Sequence, residues 1–398
     1  MPCFPTITWL YAGISPTETT EEPENPEFRK EFNLPSRFEP FTTIPSQTGP
    51  SIPLARVDIF FNEETGDFQF CETNTDGSAG FTATDEVTIA IEQSASFALL
   101  KEKHPGIHSA HLRHGWCRKL VELYGNWATE YNRKPVEEGP TIALVDYLES
   151  LEQNEAKDFV NLLNISGFRA RISDVRELHT ENRNGTIGLY DNEGPLDCVW
   201  KRAVTGELFQ KFNPGVESLA QTIRHNLAYV VGGFYTWPSA TKTFFAILHS
   251  DVASRFLSLE QLDFVKRHVP KTQILDRGTN IADLTANQKQ LIAKPSDGYN
   301  AIGVIAGASV SREEWASSLM RLAESGGVAQ RYATQYATPM IRGDITENVS
   351  PYEFPAANNL LGLFLFGGKF AGIFPRCGLG KVIGEHQGRF EQGCLFVE

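Results

Sequence analysis

The stretch "RVDIFFNEETGDFQFCETN", residues 56–74, limits what this chain can fold into. Two β-prone runs flank a polar segment containing Gly66, the pattern of a hairpin. With Glu63 to Asp67 as a five-residue loop, Asn62 faces Phe68. The same register sets Phe60 against Phe70, Asp58 against Glu72 and Arg56 against Asn74. The six residues of these three pairs share one face, because strand side chains alternate with a period of two. Like charges directly across a strand pair are destabilising. The facing carboxylates of Asp58 and Glu72 therefore call for a cation between them.

The wider chain is that of an ordinary globular protein. It has 398 residues, 41% apolar and 21% charged, enough for two or three packed units. A net charge of -13 argues against nucleic acid as a partner and permits a cationic substrate. Six scattered cysteines (Cys3, Cys71, Cys117, Cys198, Cys377 and Cys394) form no CxxC pair. They read as reduced thiols, which together with the lack of a signal-peptide pattern predicts a cytoplasmic protein. No run of 18 apolar residues occurs, so no membrane span is expected.

Along the chain, the acidic, proline-rich residues 15–26 read as a flexible surface segment. After the hairpin, "NTDGSAGFTATDE" is a glycine-bearing loop. A helix follows, with Val87, Ile91, Ala95 and Ala98 on one stripe and Thr84 as its cap. A second helix carries Trp116, Leu120, Leu123, Trp127 and Tyr131. From 141, "TIALVDYL", a helix with Phe159, Leu162 and Leu163 ended by Gly167, and "FRARISDV" make a βαβ unit. "LDCVWKRA" is another buried strand, and "TKTFFAILHSD" begins a helix. "KQLIAKPSDGYNAIGVIAG" reads strand, loop, strand; "SREEWASSLMRLAES" is helix and "GVAQRYAT" strand. The segment "NLLGLFLFGGKFAGIFPRCG" is a hairpin turning at Gly367-Gly368.

Asp58, Glu72 and Asn74 offer hard oxygen ligands of the kind Mg²⁺ takes, and Arg56 beside them suits an anion. A merely solvated hairpin is the alternative, with Arg56 neutralising Asp58; four polar groups converging in one register favour the metal. Lys294 stands before a loop with Gly298 and Gly303, a common way to hold nucleotide phosphates, though GxxxxGK[ST] is absent. His104, His108, His111 and His114 lack the i, i+4 spacing of a helical zinc site and are given no function. No GxSxG elbow occurs, and Cys71 has no base near it in sequence. The Asp58/Glu72 pair alone would suit a glycosidase, but Asn74, Arg56 and the lysines argue otherwise.

The R-x-D…E-x-N-T pattern resembles the magnesium-binding strands of ATP-grasp ligases. Here it precedes the lysine segments by more than 160 residues, an order similar to the circularly permuted glutathionylspermidine synthetase group. "IALVD", "LDCVWKRA", "ATKTFFAIL", "PKTQIL", "IAKPSDGYNAIGV", "VAQRYATQYATP" and "GGKFAGIFPRCG" extend the resemblance over about 54–390. It implies an α+β / α/β chain with a permuted ATP-grasp fold and a preATP-grasp-like βαβ subdomain. The implied division is 1–140 (magnesium-binding part), 141–235 (substrate subdomain), 236–342 (nucleotide-binding subdomain) and 343–398 (C-terminal hairpin).

The resemblance further implies ATP and two Mg²⁺ as cofactors. Asp58, Glu72 and Asn74 would bind metal. Lys242, Lys294 and Gly298 would lie at the nucleotide, and Gln330 near adenine. Arg56 and Arg376 would stabilise the transferred phosphoryl group. The implied reaction joins a small-molecule or peptide carboxylate to an amine through an acyl phosphate. Residues 75–80, "TDGSAG", depart from the serines of the resembled family, as does "RAVTGELF" after the "VWK" strand. These departures leave glutathione and spermidine unassigned, and they make a nucleotide-binding relative without ligase activity the alternative.

Overall fold

The two strands of the opening stretch form, and their register holds only at one end. β1 (Leu54–Phe61) and β2 (Phe68–Asn74) pair antiparallel, with Arg56 opposite Asn74 and Asp58 opposite Glu72. The register then shifts by one residue, so Ile59 faces Phe70, Phe60 faces Gln69 and Phe61 faces Phe68. A one-residue slip sends side chains to the other face. Phe60 and Phe70, expected as partners on one face, therefore separate. Phe60 packs beside Cys71, whereas Phe70 enters a core with Ile59 and Phe68. The turn is longer than expected: Asn62 N–H donates to Asp67 O at 2.8 Å, and Gly66 N–H to Asn62 O at 2.8 Å.

These coordinates come from a computed structural model that describes residues 32, 34–134, 136, 139–255, 257–299, 301–340, 356–384 and 388–397. The acidic segment 15–26 and Cys3 lie outside the described residues. The five described cysteines are free. Among the described residues, no helix is long and apolar enough to cross a membrane.

Continuing along the chain, α1 spans Phe81–Glu92, and a separate helix, Ala95–Lys103, follows. The stripe expected inside is outside: Ile91 is exposed, and Phe81, Thr84, Asp85 and Thr88 are the buried face. Hydrogen bonds explain the reversal. Thr84 donates to Gln392 O, and Thr88 accepts from Cys394 N–H. Asp85 accepts from the N–H groups of Leu112 and Arg113, capping α2 (Leu112–Glu130). Thr84 caps nothing; the N-cap of α1 is Gly80. On α2 the expected stripe is buried from Trp116 to Trp127, and Tyr131 falls just past the helix end.

The expected βαβ unit is present as β3 (Thr141–Asp146), α3 (Gln153–Ile165) and β4 (Arg169–Asp174). It is extended by β5 (Cys198–Lys201), α4 (Pro214–His225) and β6 (Tyr229–Val231). All four strands are parallel, in the order β6-β5-β3-β4. Chain direction across the sheet reverses between β3 and β5, which places a crevice at their carboxyl ends. Apolar clusters cover both faces, as a parallel sheet requires.

α5 (Thr243–Leu248) precedes an antiparallel sheet of β7 (Thr272–Leu275), β8 (Leu291–Pro295) and β9 (Gly327–Arg331). Its order is β7-β9-β8 with Ile305–Ala306 on the edge, and α6 (Arg312–Ser325) packs on it. The glycine hairpin is β10 (Ala356–Phe366) and β11 (Lys369–Gly378), with Gly367 and Gly368 at φ 58° and 77°. β10 pairs with β1, so hairpins from the two ends of the described chain share one antiparallel sheet, β11-β10-β1-β2. The fold is thus mixed α/β. Phe364, Phe366 and Phe374 of this sheet share a core with Trp116, Ile142 and Trp200, which joins it to the parallel layer.

Candidate active site

A cavity of about 670 Å³ opens where the three sheets meet. Arg56, Cys71, Glu72 and Asn74 reach it from the first hairpin, and residues 76–80 from the loop beyond. Asp146, Glu155 and Arg202 come from the parallel layer, Lys294 and Gln330 from the third sheet, and Arg376 from β11.

Asp58 lies beneath this wall. Its side chain is 0% exposed and answers two guanidinium groups. Arg56 Nε donates to Oδ1 at 2.9 Å and Nη2 to Oδ2 at 3.1 Å. Arg376 Nη2 is 2.8 Å from Oδ1, off the hydrogen-bond axis, and its buried Nε has no hydrogen-bond partner among the described residues. Asn74 Nδ2 donates to Oδ2 at 3.3 Å. Burial opposes the charge on Arg56, but Asp58 outweighs it and the pKa rises. On Arg376 burial prevails and the pKa falls, despite Asp58. Both guanidinium groups also lie near the Phe374 ring, at 5.7 and 4.7 Å from its centroid.

The crowding depends on Gly362, opposite Asp58 on β10. A Cβ there would lie 2.8 Å from Arg56 Cδ and 3.0 Å from both Arg376 Nη2 and Asp58 Oδ1. In the sequence, Gly362 looked like one more residue of an apolar run.

Glu72 is partly open, at 26% side-chain exposure, and its Oε2 is 2.8 Å from Lys242 Nζ. Burial would raise the Glu72 pKa; Lys242, with Lys294 behind it, holds it well below the usual carboxylate range. Burial likewise opposes the charge on Lys242, and Glu72 raises its pKa. Lys242 is the N-cap of α5, and its Nζ also reaches Gly298 O at 3.4 Å. Lys294, nearly buried on β8, donates to Cys71 O at 3.2 Å. Gln330 on β9 is buried on the cavity wall and donates to Thr272 Oγ1 at 2.9 Å.

Every sequence-nominated site residue thus sits in or directly behind one region, with one rearrangement. The cations demanded by the Asp58/Glu72 pair are the protein's own: Arg56 and Arg376 on Asp58, Lys242 on Glu72. Asp58 was expected as a metal ligand; its oxygens face guanidinium groups and an amide instead. Among the described residues, no group of three or more His, Cys, Asp or Glu side chains is arranged to hold a metal. Glu72 and Asn74, one strand step apart on the cavity wall, are the hard oxygen donors that fit Mg²⁺.

Sequence reasoning missed several participants. Glu155, buried on α3, accepts from the N–H groups of Gly80, Phe81 and Thr82, closing the N-terminus of α1 from another layer. Burial still raises its pKa. Asp146, at the carboxyl end of β3, is pushed up to about 6 by burial. Lys201 and Asp76 form an ion pair with side chains 0% and 1% exposed. Asp76 lies in "NTDGSAGFTATDE" and Lys201 in "LDCVWKRA", but nothing local marks either one as buried.

No protein-family model matches the sequence, and no curated protein matches it. Among solved structures, the chain is similar to a glutathione synthetase-like effector from Globodera pallida in apo form. Identity is 12% and the TM-score 0.48, over 92% of this chain and 79% of that one. A putative gamma-glutamylcysteine synthetase from Methylobacillus flagellatus gives 10% identity and a TM-score of 0.45, over 99% and 88%. D-alanyl-alanine synthetase A from Vibrio cholerae gives 8% and 0.34, over 65% and 89%.

Proposed function

We propose that this chain is an ATP-dependent carboxylate–amine ligase of the circularly permuted ATP-grasp type. One observation carries the reading. Four cationic side chains, Arg56, Lys242, Lys294 and Arg376, converge around two carboxylates where the first and last hairpins share a sheet. This cluster keeps an excess of two positive charges beside the cavity. Such an excess suits a polyanion, and preorganised cations are what phosphoryl transfer chiefly needs.

In this reading Lys242 and Lys294 bind the nucleotide phosphates, with the backbone at Gly298 alongside. Gln330 lies toward the adenine. Glu72 and Asn74 hold Mg²⁺, which supplies charge neutralisation at the phosphates when bound. Arg56 and Arg376 stabilise negative charge on the phosphoryl group as it passes to the substrate carboxylate. Asp58 does not touch substrate; it holds both guanidinium groups in place. Transfer of the phosphoryl group releases ADP; the amine then attacks the acyl carbon, forming the amide bond as the carbon–phosphate oxygen bond breaks and phosphate leaves. The division at 140, 235 and 342 follows the same reading. The order of elements supports permutation, since β1 and β10 pair across nearly the whole chain.

The test is a screen for ADP release across small acids, peptides and amines with Mg²⁺, alongside thermal shift with ATP. The ligase reading predicts release that needs both an acid and an amine. A thermal shift with ATP but no release under any pairing would favour a nucleotide-binding protein without ligase activity.

A further inference from the structure

The loop from Thr75 to Gly80 departs from the resembled family, and it is anchored at several points on the cavity wall. Asp76 Oδ1 accepts from Lys201 Nζ at 2.5 Å and Thr236 Oγ1 at 3.2 Å; Oδ2 accepts from Thr205 N–H at 2.6 Å. Lys201 Nζ also donates to Ala203 O at 3.0 Å and Thr205 Oγ1 at 3.1 Å. The three ammonium donors are thereby matched by three acceptors. This network sits where β5 ends, at the reversal point of the parallel sheet.

From Asp76 the loop runs to two cavity arginines. Gly77 O accepts from Arg202 Nη1 at 2.7 Å, and Ala79 O from Arg56 Nη1 at 2.5 Å. Gly77, at φ 64°, lets the loop pass so closely that a Cβ would lie 2.6 Å from Val204 and 2.8 Å from Arg202 O. A buried ion pair is a poor source of net stability, because desolvation offsets its attraction. Its geometric consequence here is large: it sets the height of two carbonyls, and those carbonyls orient two guanidinium groups.

We propose that Lys201 and Asp76 are a positioning pair, which locks the 75–80 loop to the parallel sheet so that Ala79 O and Gly77 O aim Arg56 and Arg202 into the cavity. The proposal rests on the ligase reading for its kinetic readout only.

The test is the charge-free double variant Asp76→Asn/Lys201→Met. Asn at 76 retains an acceptor for Thr205 N–H. The expected result is a folded protein whose amide hydrogen exchange speeds up at 76–80 and stays unchanged in β8 and β9. Where turnover is measurable, kcat falls by roughly 10- to 100-fold while KM for ATP holds, as expected when a reacting group is misplaced. Unchanged exchange at 76–80 overturns the proposal. Should the double variant fail to fold, native-state hydrogen exchange of the wild-type protein serves instead: residues 76–80 should open together with Lys201 and Thr205, whose N–H donates to Asp76, and opening of 76–80 independent of those two residues overturns the proposal. A wild-type protein without turnover removes the ligase reading and leaves the exchange result standing.

Discussion

Lys242 Nζ rests 2.8 Å from Glu72 Oε2, so an ammonium occupies the carboxylate best placed to meet a divalent cation. The two cations compete for one anion. Lys242→Met should therefore tighten Mg²⁺ binding in the absence of nucleotide, by roughly tenfold, the equivalent of about 1.4 kcal/mol. The same variant should weaken ATP binding, because a phosphate partner is gone. Titration calorimetry with Mg²⁺ alone, then with ATP, reads both effects. Weaker Mg²⁺ binding in the variant would show that the lysine and the metal do not share Glu72.

Asp58 and Glu72 face each other across one strand pair and should respond differently to removal. Asp58→Ala strands two buried guanidinium groups without their anion. Breaking a buried pair in this way costs about 3–5 kcal/mol, measurable as a drop in the urea midpoint at constant slope. Glu72 is partly exposed, so Glu72→Ala, which leaves Lys242 without its carboxylate, should lower the midpoint by less than Asp58→Ala does while abolishing Mg²⁺-dependent turnover. Equal loss of stability in the two variants would contradict the division of labour between them.

Much of this arrangement was legible in the residues because the signals were local. Alternation placed the strands of the first hairpin, Gly367-Gly368 placed the turn of the last, and continuous apolar runs gave the parallel strands. The register at Asp58 and Glu72 followed from the pattern, whereas the shift beyond it did not: nothing in "DFQFCETN" marks an extra residue. The face of α1 was misread for a related reason. Thr84, Asp85 and Thr88 are polar, yet they are inward because their partners, Gln392, Leu112, Arg113 and Cys394, arrive from distant segments. The same holds for Glu155 and for Lys201 with Asp76. Long-range capping and buried charge pairs leave no periodicity to read.

Asp146 makes stability depend on pH in a direction opposite to that of salt-bridged acids. Its carboxyl, 4% exposed, rises from an ordinary 3.8 to about 6 through burial, with Arg202 only partly opposing. The folded state thus favours the protonated form. The stability it contributes is full below about pH 4 and lost as pH rises through about 6. Asp146→Asn should raise the melting temperature at pH 8, by the equivalent of roughly 1–3 kcal/mol at about 1.4 kcal/mol per pH unit. The gain should fade as pH drops to 4, where the wild-type carboxyl is already neutral when folded. Melts of both proteins across pH 4–8 check this; a gain that is constant with pH would place its origin elsewhere.

Gly362 offers the sharpest probe of the arginine pair. Its backbone is compatible with alanine, since it is absent from the positive-φ residues, so any effect is steric. The added Cβ would meet Arg56, Arg376 and Asp58 at 3.0 Å or less, and Asp58 is too enclosed to retreat. The guanidinium groups must shift toward the cavity. Overpacking of this kind costs about 1–3 kcal/mol, a modest loss of stability. Displacing two groups that face developing negative charge should cost far more in rate, roughly 10- to 100-fold in kcat. Gly362→Ala should thus keep its ATP-induced thermal shift while losing turnover. A variant that retains wild-type kcat would show that neither arginine needs its observed position.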